Sequence, residues 1–503
     1  MAGGVIGGAC AKILYTLNLW YEYSLMHKLA DRTAAYCKKS LIVRVIYGLI
    51  TCDETDWAGG SVLISAFSNA GAAVWRRAKK FFDRIRPLSD GSVAARIFSW
   101  EGLVLSCLRP EVALCAFVFF MSAVPAEYWN NMYSLYAAVA LAALYAVRTL
   151  TKNGGAAREK LPASLLIYFG IMAVNLLMGT ERGDSLRVIV IFVSCAAVGL
   201  LIPNIIDTEK KADNLYAAIF AGALATSLYG LYQYAAGIEV RADLVDLLAS
   251  PGLRRVFSTM ANPNNYAEYL VLFLPFCVSY ALTRDSVNKK FIAVTLLAPM
   301  FAALVLTSSR SAYIAAVGSA AIYMLLTNKR VVPFLILACV FMIPFIPASI
   351  IGRIMTIGAD SSSKYRLMIW EASARALGDY WVFGVGMGPA AFSKIYRIYS
   401  NQNAINAMHA HNLFLQIWIE NGVFGFLAFI VFLFGALKKL LRGIFKSAGG
   451  PDAGCRVAAL CSVVGFATFG MVEYTWFYPR VMLSFWIAAG IALGLNRRAR
   501  AAK

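Results

Sequence analysis

Long apolar segments alternate with short polar connections along most of the chain. From about residue 100 onward, apolar segments of about 17 to 25 residues recur, and as helices these can cross a hydrocarbon core of roughly 30 Å. The residue-by-residue alternation that β-barrel strands require is not sustained anywhere. The pattern predicts an all-α fold, a polytopic bundle of about twelve transmembrane helices. The predicted spans, the first of them interrupted by Arg109, Pro110 and Glu111, lie near residues 103–124, 132–150, 161–179, 185–206, 214–234, 265–283, 289–309, 311–327, 330–351, 411–438, 455–472 and 481–495.

The N-terminal part of the chain has a different pattern. Residues 1–100 are basic and contain no convincing span, so we expect a cytoplasmic or interfacial region, followed by a membrane domain over residues 101–503. In "VWRRAKKFFDRIRP", apolar side chains share one helical face while Arg77, Lys80 and Arg84 share another. This indicates a helix lying in the membrane interface, held by anionic lipid.

Composition and charge narrow the class of protein. With 60% hydrophobic residues and a mean hydropathy of +0.65, the chain is too apolar for an ordinary soluble protein of its length. The formal net charge of +20 comes mostly from clusters in the connections between apolar segments. That is the positive-inside pattern, so we expect no nucleic-acid partner. The even number of spans and the basic tail predict that both termini are cytoplasmic.

The same topology places five connections outside. The longest, about residues 352–410, is too long for a simple turn, and loops of that size usually carry function. Its segment "KYRLMIWEASARAL" repeats apolar residues at helical spacing, which predicts a short helix at the outer interface. The others are "PAEYWNN", "GTERGDS", residues 233–264 and "VEYTWFYPR".

Two of the chain's three histidines, His409 and His411, lie at the start of an apolar segment in "HAHNLFLQIWIENG". A metal site would need further ligands, such as the carboxylates of Glu371 or Glu420. A structural role at a helix start is a second alternative. Acid/base chemistry is the third, because unperturbed histidine titrates with a pKa of about 6.5.

Three polar residues follow the histidines at intervals of four: Asn412, Gln416 and Glu420. On a helix they would form a stripe, and polar groups at membrane depth usually line a cavity or a partner helix. If the helix began before residue 409, His409 would share this stripe while His411 would lie about 100° away. Periodicity therefore does not select His411.

Among the arginines that lie outside, against the orientation bias, four are candidate anion-binding residues. Arg310, in "LTSSRSAYIAA", sits at a turn between two apolar segments and needs an anionic partner. Arg366 in "KYRLMIW" and Arg254 with Arg255 in "PGLRRVF" are the others. Guanidinium forks bind phosphate oxygens in paired geometry, so a diphosphate at the membrane surface is one candidate anion. Loop carboxylates such as Asp360 or Glu371 are the alternative partners.

Four motifs give a resemblance to a known family. "STMANPNNYAEYLVLFLP", "LTSSRSAYIAA", "YRLMIWEASARAL" followed by "VFGVGMGPAAF", and "HAHNLFLQIWIENGVFGF" resemble, in order and membrane context, motifs of the O-antigen ligase and polysaccharide polymerase superfamily. The resemblance implies about twelve helices and a large extracytoplasmic loop above a cavity. It further implies transfer of a glycan from a polyprenyl diphosphate to an acceptor, with inversion and without metal or other cofactor.

The resemblance also implies roles for individual residues. His411, which precedes the motif's asparagine, would act as general base on the acceptor hydroxyl or orient it. Arg310 and Arg366 would hold the diphosphate and stabilise the charge of the leaving group. We expect Arg254, Arg255, His409, Asn412, Gln416 and Glu420 to contribute to substrate binding.

The expected function is therefore a glycan ligase of the bacterial inner membrane, with a glycan, lipid or cell-wall acceptor and membrane lipids as its other partners. A repeat-unit polymerase and a protein O-oligosaccharyltransferase use the same donor and stay open as alternatives. A transporter of small solutes such as bicarbonate is the non-enzymatic alternative. It would favour ionisable residues near the middle of the membrane, whereas those singled out gather at one face.

Overall fold

The computed structural model describes residues 109–151, 162–240, 254–328, 361–400, 406–446 and 452–501, with a few isolated N-terminal positions. Apart from those positions, the N-terminal region and its predicted interfacial helix lie outside the described residues. So does the predicted span near residues 330–351. The division of the chain at residue 100 stays a prediction.

The described residues form α-helices and two short 3₁₀ helices, Ala126–Tyr128 and Ser258–Met260, with no strand among them. In chain order, the α-helices are α1 Pro110–Ala123, α2 Tyr133–Thr151, α3 Ala163–Met178, α4 Arg182–Ile205, α5 Glu209–Ala236, α6 Pro263–Leu282, α7 Val287–Thr295, α8 Ala298–Leu306, α9 Arg310–Thr327, α10 Ser361–Tyr380, α11 Pro389–Tyr399, α12 Leu413–Lys446, α13 Ala453–Gly470 and α14 Pro479–Ala501.

The all-α, polytopic membrane fold is confirmed. Among the described residues, seven helical segments are long and apolar enough to span a membrane, with α7 and α8 counted together, and α1, α2, α3 and α14 are shorter apolar helices. Each predicted span within the described residues therefore coincides with an apolar helix.

Three of these spans differ in detail from the prediction. Pro110 begins α1 instead of interrupting it, because a first-turn residue needs no hydrogen-bond donor of its own. The span predicted at residues 289–309 is two helices, since Pro299 cannot donate back to the end of α7. The span predicted at residues 411–438 runs from Leu413 to Lys446 and is broken at Gly422, which has φ +65°.

Close helix contact and aromatic packing form the bundle core. Helices α4 and α14 cross where Gly199 meets Gly490, and a Cβ on Gly490 would lie 2.2 Å from the Gly199 carbonyl oxygen. Small residues at such crossings let two backbones approach closely. Next to the crossing, the Phe192 ring lies 5.7 Å from that of Trp486 and 5.0 Å from that of Trp476. We call this group of rings the aromatic core.

The connections predicted to lie outside come together at one end of the bundle, which we call the site end. The Thr180 amide donates to the Val385 carbonyl (3.3 Å), and the Thr259 hydroxyl donates to the Ser122 carbonyl (2.6 Å). Within the long connection, α10 confirms the helix predicted in "KYRLMIWEASARAL". The assignment of this end to the extracytoplasmic side stays a prediction.

Candidate functional site

The two histidines lie in a turn that immediately precedes α12. Asn412 caps the helix: its side-chain oxygen accepts from the Leu415 amide (3.0 Å) and its carbonyl from the Gln416 amide (2.9 Å). The helix therefore does not extend back through His409, and the condition under which His409 would share the polar stripe does not hold. The backbone of this turn, and not the helix, therefore sets the directions of the two imidazole rings.

His411 is bound to a carboxylate that comes from a distant part of the chain. Its Nδ1 lies 2.7 Å from Oε1 of Glu473, in the turn between α13 and α14. The Tyr365 ring packs edge-on against the imidazole, with 5.8 Å between ring centroids. The side chain of His411 keeps 24% exposure, whereas that of Glu473 keeps 10%. The histidine is thus fixed on one side and accessible on the other.

Two further donors converge on Glu473. Nη2 of Arg366 donates to Oε2 at 3.1 Å, and Nδ2 of Asn264 donates to the same oxygen at 3.3 Å. Burial by itself would raise the pKa of Glu473, but His411 and Arg366 together hold the pKa below its ordinary value. The group is therefore a carboxylate at neutral pH.

The cluster continues from Asn264 to the next arginine. Nη2 of Arg255 donates to Oδ1 of Asn264 (2.8 Å), and its Nε donates to the Thr307 carbonyl (2.9 Å). Arg310, partly buried, begins α9 three residues after Thr307. The structure therefore joins His411, Arg366 and Arg255 through Glu473 and Asn264, with Arg310 on the adjoining turn.

Arg254, by contrast, is exposed and packs beside Gly237 at the end of α5. No hydrogen bond of the cluster just described involves it. Of the two neighbouring arginines in "PGLRRVF", only Arg255 is tied into the cluster.

The segments that form the cluster contain non-glycine residues with positive φ, which is a strained backbone conformation. In the described part of the chain, four non-glycine residues have positive φ: Ser258 (50°), Ala261 (60°), Ser308 (52°) and His411 (46°). Each lies in a segment that contributes to the cluster or directly adjoins it. Such backbone costs of order 1–3 kcal/mol per residue and tends to occur where function demands a fixed geometry.

His409 supports the turn that carries His411. Its Nδ1 accepts the backbone N–H of His411 at 3.2 Å, and the two imidazoles lie 4.1 Å apart. The Phe477 ring covers it at 4.4 Å. Burial, together with the neighbouring His411, lowers the pKa of His409 to about 3, so this ring is neutral at physiological pH.

Gln416 and Glu420 are buried and bonded to protein groups. The Gln416 amide accepts from the Ala410 N–H (2.6 Å) and donates to Oε1 of Glu420 (2.9 Å). That oxygen also accepts from the Gly388 N–H (3.1 Å), while Oε2 accepts from the Tyr474 hydroxyl (3.3 Å). The two residues thus tie the histidine turn to the long connection and to the turn that carries Glu473.

The break in α12 at Gly422 is filled by a glycine-rich loop, which we define as residues 382–388. The Ile419 carbonyl accepts from the Val385 amide (2.8 Å), and the Glu420 carbonyl accepts from the Gly386 amide (3.2 Å). Past the break, the Val423 amide donates to the Trp381 carbonyl (2.8 Å). Residues 384, 386 and 388 are glycines with positive φ, which L side chains rarely adopt. The first turns of α12 are therefore hydrogen-bonded to the loop.

Three side chains of the site could in principle hold a metal ion. Ligand atoms of His409, His411 and Glu473 lie within 4.8 Å of one another. Both oxygens of Glu473 are already engaged by donors, and Arg366 places a positive charge on one of them. This is a poor environment for a divalent cation.

Sequence reasoning missed Glu473 and Asn264. Both lie in segments predicted to be outside, Glu473 in "VEYTWFYPR" and Asn264 in "MANPNN", so topology placed them at the right end of the molecule. The partner of Arg366 is Glu473, while Glu371, considered for that role, pairs with Arg375 at 2.8 Å. Spacing carried no signal for the correct pair, because residues 366 and 473 are distant in the chain.

Comparison with known proteins agrees with the resemblance. Residues 295–430 match the family model described as O-Antigen ligase. A segment of 144 residues, 27% of this chain, is 24% identical to the "Putative polysaccharide ligase" of Rickettsia felis and covers 31% of that protein. The likeness to polysaccharide ligases is thereby confirmed for a part of the chain. The matched family region contains Arg310, Arg366 and His411, whereas Arg255 and Glu473 lie outside it.

Proposed function

We propose that this protein is a metal-independent, inverting glycan transferase that moves a polyprenyl-diphosphate-linked oligo- or polysaccharide to an acceptor at the extracytoplasmic face of the bacterial inner membrane, with both termini cytoplasmic. The observation that carries the proposal is the arrangement of His411, Glu473 and Arg366. It joins a candidate general base, a carboxylate that orients it, and a cation for the leaving group in one cluster.

The base is prepared by its carboxylate partner. Because Glu473 is ionised, the 2.7 Å contact assigns the proton to Nδ1 of His411 and leaves Nε2 as an acceptor. Glu473 then fixes the ring orientation and stabilises the imidazolium that forms when a proton is taken up, as the carboxylate does in hydrolytic triads. A positioned base contributes about 10²- to 10⁴-fold in rate.

The donor diphosphate is held by arginines. Arg366 uses one of its five N–H donors on Glu473, which leaves others for phosphate oxygens. Arg310, on the turn next to Thr307, and Arg255 add positive charge on the same side. Cations aimed at developing negative charge in a water-poor site stabilise the transition state by several kcal/mol.

The transfer step is a single displacement. The acceptor hydroxyl oxygen forms a bond to the anomeric carbon of the donor sugar while the bond from that carbon to the phosphate oxygen breaks. The hydroxyl proton passes to Nε2 of His411, and the electron pair leaves with the polyprenyl diphosphate. Attack opposite the leaving group inverts the anomeric centre.

The remaining candidate residues act around this centre. Asn412 caps α12, and His409, Gln416 and Glu420 hold the histidine turn through the bonds described above. Arg254, exposed beside Arg255, contributes long-range attraction for an anionic substrate.

The test is a transfer assay with purified protein in nanodiscs, using the lipid-linked glycan of the host cell as donor and its envelope glycolipid as acceptor. His411→Ala and Arg310→Ala should abolish transfer while the protein is still made and inserted at normal levels. Addition of a chelator should leave the wild-type rate unchanged. Full activity of both variants would refute the mechanism.

Deletion of the gene separates the activities that share this donor. Long polymer stranded on the polyprenyl carrier would identify a ligase, which is the proposal. Single repeat units that remain on the polyprenyl carrier would identify a polymerase. Loss of protein glycosylation would identify an O-oligosaccharyltransferase. An unchanged glycan profile would favour a transporter instead.

A further inference from the structure

The site end carries a second concave surface, distinct from the histidine cluster. It is a groove of about 570 Å³ between the α1–α2 connection and the beginning of α4. This volume falls within the range of about 300–1,000 Å³ that is typical of small-molecule sites. We call it the aromatic groove, and its lining includes Tyr128, Trp129, Asn130, Asn131, Tyr133 and Arg187.

The lining combines two kinds of side chain. Tyr128 is 71% exposed and Tyr133 39% exposed, so both rings are accessible to a ligand. The lining also contains planar polar groups, the amides of Asn130 and Asn131 and the guanidinium of Arg187. Aromatic faces cover the C–H faces of sugar rings, while planar amides and guanidinium groups bond pairs of neighbouring hydroxyls. The combination suits an oligosaccharide.

One wall of the groove is attached to the catalytic cluster through Arg480, at the beginning of α14. Its guanidinium lies 4.5 Å from the centre of the Trp129 ring. The same group donates to the carbonyls of Val124 (2.9 Å) and Thr259 (2.8 Å). Arg480 follows the turn that carries Glu473, and Thr259 follows Arg255. The groove wall is therefore bonded to both segments that position the base and the donor.

The opposite wall is attached to the glycine-rich loop. Arg187 and Ile191 lie on α4. Two residues before Arg187 on α4, the Ser185 hydroxyl donates to the Met387 carbonyl at 2.7 Å. That loop in turn bonds Glu420, close to the histidine turn. Both walls of the groove are thus hydrogen-bonded, through Arg480 and Ser185, to segments that also hold the cluster.

We propose that the aromatic groove binds the sugar chain of one of the two substrates. The sugars that it binds lie a few sugar residues away from the glycosidic bond that is made or broken. The proposal rests on the proposed function and specifies where that function holds its glycan. Donor and acceptor both present sugar rings, so they share the chemistry that the groove recognises, and kinetics must tell them apart.

Aromatic residues at a membrane interface have another common role, which is to anchor the protein among lipid headgroups. Tyr136 provides the matched control for that role. It lies one turn after Tyr133 on α2 and is 60% exposed, but it does not line the groove. Anchoring would make Tyr128 and Tyr136 equivalent, whereas sugar binding would make them differ.

The first measurement is binding, independent of catalysis. The full-length protein in nanodiscs is titrated, with saturation-transfer NMR, against two water-soluble probes. One is the oligosaccharide released by mild acid from the host cell's lipid-linked donor, and the other is the deacylated acceptor oligosaccharide. Tyr128→Ala and Asn131→Ala should weaken binding of one probe about fivefold to tenfold, as expected for loss of one ring or one pair of hydrogen bonds. Tyr136→Ala should bind both probes as the wild type does.

The second measurement is the transfer assay. Tyr128→Ala should raise KM for the substrate whose probe lost binding, and Tyr128→Phe should recover most of the loss because the ring is retained. A raised KM for donor assigns the groove to the donor glycan, and a raised KM for acceptor assigns it to the acceptor.

The result that overturns the proposal is equal behaviour of Tyr128→Ala and Tyr136→Ala in both measurements. That outcome would leave the proposed function intact if His411→Ala is inactive. Conversely, an active His411→Ala variant would refute the proposed function, while weakened probe binding by Tyr128→Ala would still show a sugar-binding groove.

Discussion

The aromatic core around Trp486 and the cluster around Glu473 are built from neighbouring segments, yet different interactions stabilise them. In the core, rings such as Phe192 and Trp476 lie about as close as side chains pack in any protein interior. In the cluster, each group is fixed by a few hydrogen bonds to charged or polar partners, and Glu473 alone accepts from Arg366 and Asn264 and contacts His411. The core draws its stability from area and shape, whereas the cluster depends on the identity of single atoms.

This difference predicts opposite responses to substitution. A core side chain can be replaced by another of similar volume at a cost that is usually below about 1.5 kcal/mol. A member of the cluster cannot, because loss of one partner leaves another buried group without its hydrogen bond. The predictions below test the cluster side of that contrast and the helix that carries the cluster, beginning with the largest expected effect.

Glu473→Gln should nearly abolish transfer while the fold persists. The amide keeps the shape of the carboxyl group but removes the charge that sets the His411 tautomer and stabilises its imidazolium. Loss of such a carboxylate costs about 10²- to 10⁴-fold in rate. Initial rates of transfer at saturating donor measure the effect.

Glu371→Gln is the control for that substitution. Glu371 pairs with Arg375 on α10 and its side chain is 66% exposed, so its loss should change the rate less than twofold or so. Equal rates for the two glutamine variants would remove Glu473 from the mechanism.

Gly422→Ala should destabilise the junction between α12 and the glycine-rich loop. Residue 422 has φ +65°, and a Cβ there would lie 1.9 Å from the Val382 carbonyl oxygen, so the loop and the helix must separate. We expect a loss of about 3 kcal/mol or more in the free energy of unfolding. Thermal unfolding in detergent, followed by tryptophan fluorescence, measures it.

Gly435→Ala, on the same helix, is the matched control, because a Cβ there would meet nothing within 4 Å. It should be neutral or stabilising by about 0.5–1 kcal/mol. If both alanine variants unfolded at the wild-type temperature, the break in α12 would have no structural importance.

Arg366→Lys should reduce transfer about tenfold to a hundredfold. Lysine keeps the positive charge but cannot bond Glu473 and a phosphate in the paired geometry of a guanidinium. Because the lost interactions strengthen as the leaving group gains charge, kcat should fall more than KM rises. A variant with unchanged kcat and raised KM would show that Arg366 only binds the ground state.

The smallest expected effect concerns His409 and pH. Since burial and His411 lower its pKa from 6.5 in the unfolded chain to about 3, only the unfolded state takes up this proton between those values. Its contribution to stability is complete above pH 6.5 and falls as the pH falls toward 3, reaching a cost of about 1 kcal/mol near pH 5.5.

His409→Asn should reduce this acid sensitivity. Asparagine can place an oxygen where Nδ1 accepts the His411 N–H, but it does not titrate. The unfolding temperature of the variant should therefore drop less than that of the wild type between pH 7 and pH 5.5. An equal drop in both proteins would assign the acid sensitivity to other groups.

Much of the fold could be predicted from sequence because it follows from apolar length alone. A segment such as α4 is long and apolar enough to be a membrane span whatever it packs against. Two of the three departures occurred where the backbone changes course, at Pro299 and Gly422. At Gly422 the compensating hydrogen bonds come from the glycine-rich loop, which a sequence pattern does not reveal.

For the candidate site, the sequence predicted types of residue and not their pairs. Scarcity and topology pointed to the two histidines and to the outer arginines, and the family resemblance selected His411 and Arg366 and implied their roles. Their common partner Glu473 lies two helices after His411 and three after the helix of Arg366, where a single acidic residue in an apolar turn looks ordinary. Pairing over such distances is decided by the packing of α12, α13 and α14, for which no local pattern exists.

The position of Glu473 between α13 and α14 has a consequence for how the protein is made. Ribosomal synthesis delivers the arginine turns first, then the histidine turn, and the α13–α14 hairpin after them. Until that hairpin has inserted, His411 and Arg366 lack the carboxylate that unites them, so a nascent chain that already spans the membrane many times has no assembled centre. On the proposed function, a nascent chain therefore cannot catalyse transfer before the α13–α14 hairpin has inserted and brought Glu473 to His411 and Arg366.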